Sequence, residues 1–112
     1  MRFCLERHEE IAIVIGTHNE GSTAKAAALV DELGIARDHP HVRFAQLLGM
    51  SDNLTFNLAS AGFNASKYFV YGPVADVLPY LVRRAQENTS VTGEMGRELR
   101  LLQQERERRR QA

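Results

Sequence analysis

Ile11-Ala-Ile-Val-Ile15, followed at once by Gly16-Thr-His-Asn19, decides how this chain is read. The run is continuously apolar and β-branched, the pattern of a strand buried on both faces in a parallel sheet. It stops at a turn cluster. Ser22 or Thr23 can then cap a helix through Leu33, with Gly34 at its C′ position. Working outward, the same unit recurs. After Pro40, Val42-Arg-Phe-Ala-Gln-Leu47 reads as a second strand, broken by Gly49-Met-Ser-Asp52. Asp52 or Ser51 caps a helix through Ala61, closed by Gly62. Lys67-Tyr-Phe-Val-Tyr71 reads as a third strand ending at Gly72-Pro73, and a helix follows over about residues 74–88, bent or displaced in its start by Pro79. Alternating strands and helices predict an α/β fold with a parallel sheet and right-handed crossovers.

Residues 1–10 read as the end of a preceding helix, and residues 11–92 as the body of strand–helix units. Residues 93–112 form a polar helix or tail, set off by Gly93 and Gly96. Its apolar positions, Leu99, Leu101 and Leu102, are too sparse for firm docking. Arg106, Arg108, Arg109 and Arg110 alternate with Glu105 and Glu107, a solvated face rather than a nucleic-acid patch.

The chain has 112 residues, 44% apolar and 25% charged, which suits one small domain. Lys plus Arg and Asp plus Glu both number 14, so no net field draws nucleic acid or anionic lipid. Cys4 alone cannot build a disulfide framework and fits a reducing compartment. No apolar run approaches the roughly 20 residues of a membrane span. The first ten residues lack a signal-peptide core, so a cytoplasmic location is expected. His8, His18, His39 and His41 have no facing carboxylate or cysteine spacing, His39-Pro-His41 reads as an exposed turn, and no metal set is expected. Gly16-Thr-His-Asn-Glu-Gly21 lacks the dinucleotide fingerprint.

In parallel α/β sheets ligands collect beyond the carboxyl ends of the strands. The conspicuous polar residues fall there: Thr17, His18 and Asn19 after the first strand, Gln46 closing the second, Tyr71 closing the third. Each also has a plain structural use, His18 as a turn histidine, Gln46 as a brace for a loop, Tyr71 as a strand-end tyrosine. Tyr80, Arg84 and Glu87 share one helical stripe, with Arg83 and Arg84 each within reach of Glu87. Paired guanidinium forks suit a small carboxylate, although a solvated helix end would carry the same residues.

Thr17-His-Asn19, Gln46-Leu-Leu-Gly-Met50, Lys67-Tyr-Phe-Val-Tyr71-Gly-Pro-Val74 and Tyr80-Leu-Val-Arg-Arg-Ala-Gln-Glu-Asn88 occur in that order. Together they resemble the C-terminal third of the proline dehydrogenase family, over residues 9–100. The resemblance implies an FAD-dependent oxidation of L-proline to 1-pyrroline-5-carboxylate. It implies the last three (βα) units of a modified (βα)₈ TIM barrel, incomplete in this chain. Arg83 and Arg84 would hold the proline carboxylate, with Tyr71 lining the pocket and Tyr80 and Leu47 shaping it. Thr17, His18 and Asn19 would contact FAD on its phosphate and adenosine side. Gln46 belongs to the same flavin-facing set, and Glu87 would brace the arginines and approach the ribityl chain. A whole barrel takes roughly 250 residues. The isolated chain is therefore expected to be inactive, to need the missing N-terminal barrel segment or another chain, and to carry open sheet edges that invite pairing. The alternative is a non-catalytic α/β interaction module.

Overall fold

A computed structural model describes the backbone at residues 1–90 and 92–111, and side chains at 1–87 and 99–110. The elements run α1 (Arg2–Leu5), β1 (Ile13–Gly16), α2 (Glu20–Glu32), β2 (Val42–Leu47), α3 (Asp52–Ser60), β3 (Ala65–Tyr68), α4 (Val74–Ser90) and α5 (Thr92–Gln111). They fall into two compact units, Met1–Phe69 and Val70–Ala112.

The first unit is an α/β layer. Its sheet has the order β1-β2-β3 and every pairing is parallel, as the alternation of strands and helices requires. Register sets Ile15 against Phe44 and Phe44 against Ala65, so these residues share one face. Helices α2 and α3 fill that face with Ala26, Leu29, Val30 and Leu58, around Ile15, Val42 and Phe44. Phe44 and Phe63 meet edge to face with ring centroids 5.4 Å apart, a favoured aromatic geometry. From α1, the wholly buried Leu5 completes the core, and Arg2 reaches Glu32 of α2 at 2.7 Å.

Both glycine stops lie where expected. Gly34 (φ 68) and Gly62 (φ 88) are left-handed. Ile35 N–H donates to Val30 O, and Phe63 N–H to Leu58 O, each at 3.0 Å. These are Schellman closures, and the apolar residue after each glycine turns into the core.

Three expectations are corrected. β1 is buried on one face only: Val14 is 66% exposed, because no element of this unit covers the side of the sheet away from the helices. Asn19, not Ser22 or Thr23, caps α2, since its extended backbone lets Oδ1 accept from Ser22 N–H at 2.8 Å. β3 stops at Tyr68 rather than Tyr71. Leu48 N–H donates to Tyr68 O, after which β2 turns away at the left-handed Gly49 and offers no further partner.

The second unit is helical. Helix α4 continues through Pro79, its first turn set by Asp76 and Val77 N–H donating to Pro73 O. Helix α5 runs through Gly93 and Gly96, correcting the expected break there. Leu99, Leu101 and Leu102 are exposed, and Glu105 takes hydrogen bonds from Arg108 and Arg109. Those bonds hold the Glu105 carboxyl at about 2, below the ordinary 4.5.

Candidate functional site

In the first unit the loops after β1 and β2 are knitted together at the carboxyl ends of the strands. Asn19 N–H donates to Thr17 Oγ1 at 3.1 Å, and the Thr23 hydroxyl donates to Asn19 O at 2.9 Å. These local bonds hold the turn against the first turn of α2. His18 crosses to the next loop. Its Nε2 accepts from Leu47 N–H at 3.4 Å, so the neutral ring carries its proton on Nδ1, which donates to Ser51 Oγ at 2.9 Å. Ser51 is buried and left-handed (φ 50), and its hydroxyl serves His18 instead of capping α3. A strained non-glycine residue at such a point is a mark of functional loops.

Gln46 lies beneath this rim, almost wholly buried on the helix-covered face. Its Nε2 donates to Thr17 O at 3.4 Å and its Oε1 accepts from the Thr55 hydroxyl at 2.9 Å. In this arrangement it ties the Thr17 loop to α3. Leu47 sits half-buried on the opposite face, across from Tyr68.

Sequence reasoning passed over Ser51 as a partner of His18, and also Lys67. The Lys67 ammonium donates to Met50 O and pairs with Asp52 at 2.7 Å, which anchors the loop after β2 from the β3 side. The signal available was a serine in a glycine-rich turn followed by an acid, which by itself reads only as a cap. Nor did the sequence reveal that Glu9 stands between His8 and His39. The fold supplies the facing carboxylate that was expected to be missing, and it half-buries His39 and His41.

In the second unit α4 presents its stripe as the spacing predicts. The Arg84 guanidinium lies over the Tyr80 ring, 5.2 Å from its centroid, and its NH2 donates to Glu87. Among the described residues, Arg84 Nε is the buried side-chain polar atom left without a hydrogen-bond partner. Buried N–H groups are nearly always satisfied, so an orphan of this kind is uncommon. Arg83 is exposed on the adjoining face of α4. Tyr71 lies beyond β3 and is 92% exposed.

A proline dehydrogenase family model matches residues 1–97. "Proline dehydrogenase 1, mitochondrial" of Drosophila melanogaster is 45% identical over 109 residues, which is 97% of this chain and 16% of that protein. "Proline dehydrogenase 2, mitochondrial" of Arabidopsis thaliana is 46% identical over 104 residues, 88% of this chain and 22% of that protein. "Hydroxyproline dehydrogenase" of Xenopus laevis is 43% identical over 104 residues, 93% of this chain and 22% of that protein. The chain thus spans 16–22% of the length of these relatives. No solved structure matches. The cytoplasmic location expected from the N-terminus is overturned, since the proline dehydrogenase relatives are named as mitochondrial proteins.

Proposed function

The chain belongs to the proline dehydrogenase family, and from that premise we propose that it supplies the carboxylate clamp and part of the flavin site of an FAD-dependent oxidoreductase converting L-proline to 1-pyrroline-5-carboxylate. The observation that carries this reading is Arg84. Its guanidinium is held by Glu87 and the Tyr80 ring, yet among the described residues its buried Nε has no hydrogen-bond partner. A substrate carboxylate is the acceptor that such a pre-set fork fits, with Arg83 as second cation. Tyr71 and Tyr80 would line the proline pocket. Relatives named for hydroxyproline match about as well as those named for proline. That fits a clamp reading the carboxylate both substrates share.

The residues of the first unit suit a phosphate-bearing cofactor. Thr17, His18 and Asn19 stand after a parallel strand and against the N-terminus of α2, where N–H groups and the helix dipole favour anions. Bound FAD would supply the hydride acceptor for the carbon beside the ring nitrogen. What this chain does is hold and orient. His18 is fixed through both ring nitrogens, Gln46 braces the Thr17 loop from below, and Glu87 holds Arg84; with FAD bound, Glu87 would be its contact on the ribityl side. The three parallel strands would be the last of a (βα)₈ barrel, completed by the earlier strand–helix units or by another chain.

The test is a kinetic split in the assembled enzyme, this chain joined to those earlier units. Arg84→Ala should weaken proline recognition by about 2–5 kcal/mol, read as kcat/KM, the range for truncating one member of a buried hydrogen-bonded charge pair. Arg84→Lys should not restore it, because an ammonium lacks the planar fork. Wild-type kcat/KM in Arg84→Ala would remove the clamp from the account.

A further inference from the structure

We propose that His8, Glu9 and His39 form a divalent transition-metal site at the amino ends of the strands, opposite the loops described above. The turn after α1 and the loop before β2 bring them together: His8 and Glu9 precede β1, and His39 precedes β2. Glu9 Oε1 lies 3.3 Å from His8 Nε2 and 3.6 Å from His39 Nε2, and the three ligand atoms all fall within 4.8 Å of one another. Bonds of about 2.0–2.1 Å to a tetrahedral zinc separate neighbouring ligand atoms by about 3.3–3.4 Å. Two edges of the tetrahedron are therefore already near their final length, and the His8–His39 edge is no longer than 4.8 Å. Two imidazoles and one carboxylate favour zinc or a neighbouring first-row ion over magnesium or calcium, which prefer oxygen. With three protein ligands, one position would remain for water.

The surroundings set the rings unequally. His8 Nδ1 donates to Leu5 O at 2.9 Å, which leaves the Nε2 lone pair turned to Glu9, the supporting bond common to metal-bound histidines. Asn64 Nδ2 holds the His39 carbonyl at 2.9 Å, so the backbone of that loop is fixed. His39 Nδ1, however, accepts from His41 N–H at 3.2 Å. Coordination through Nε2 requires its proton to move to Nδ1, and this long bond is exchanged for the metal bond. A bound ion would lock residues 1–10 onto the sheet, a role independent of flavin or proline.

Isothermal titration of the 112-residue chain with zinc chloride in chelator-free buffer tests the site. One ion per chain should bind, at least tenfold more weakly in Glu9→Gln and His39→Ala, and unchanged in Cys4→Ser. Glu9 has a side chain 77% exposed, so Glu9→Gln removes the charge without touching the core. In long-range nitrogen–proton spectra of the imidazoles, zinc should move Nε2 of His8 and of His39. No zinc binding, equal affinity in Glu9→Gln, or zinc-induced changes confined to His18 or His41 would overturn the proposal.

Discussion

Ser51 shows how much one residue can organise. A left-handed serine costs about 1–2 kcal/mol relative to ordinary helical backbone. It persists because its buried hydroxyl accepts a hydrogen bond from His18 Nδ1 and Lys67 fastens the same loop through Met50 O. Ser51→Ala should destabilise the first unit by about 0.5–1.5 kcal/mol through loss of that bond. Ser51→Gly should be milder by about 1 kcal/mol, since glycine accepts this φ freely. Urea unfolding followed by circular dichroism separates the two, and equal losses would show that the backbone there is unstrained. Arg84 is the counterpart in the second unit. Its stripe with Tyr80 and Glu87 was legible from helical spacing alone, because i, i+3 and i, i+4 neighbours are set by the helix itself. The His18–Ser51 bond and the placing of Glu9 between two histidines were not legible. Both join residues about thirty positions apart, and no local period encodes them.

At the scale of elements, what the chain says locally is what it does locally. Strand β2 spans the residues its alternation predicts, and Gly34 and Gly62 stop their helices as C′ glycines should. Space around both glycines is open, so Gly62→Ala is opposed only by its φ of 88. It should cost about 1–2 kcal/mol, measured by chemical denaturation, and no loss would mean that the turn relaxes. The misreadings came from partners. β3 ended early because β2 turned away, and β1 lost one covered face because no layer of its unit lies there. Helix α5 carries a titratable staple, with Glu105 held at about 2 by Arg108 and Arg109. A depressed carboxyl pKa contributes stability fully above the ordinary value of 4.5 and loses it as pH falls toward 2. Helicity followed by circular dichroism should therefore drop between those values, less so in Glu105→Gln. An identical profile in that variant would assign the change to other groups.

At the scale of the whole molecule, the proposed barrel would account for an open sheet face. Three parallel strands covered by helices on one face leave Val14 and Tyr68 exposed on the other, a surface that a barrel would bury against its earlier strands. Val14→Lys should leave the isolated chain's unfolding midpoint nearly unchanged yet prevent its association with the preceding barrel segment, as read by co-purification. Association at the wild-type level would place that face outside the barrel. The isolated chain should also release flavin on gel filtration, since the remaining contacts are expected from the earlier strands. The most direct measurement is proline-dependent dye reduction by this chain co-expressed with the earlier strand–helix units of the family. The account predicts turnover that appears only when both pieces are present and falls sharply with Arg84→Ala. A stable complex that binds flavin but turns over proline equally well with and without the Arg84 guanidinium would contradict it.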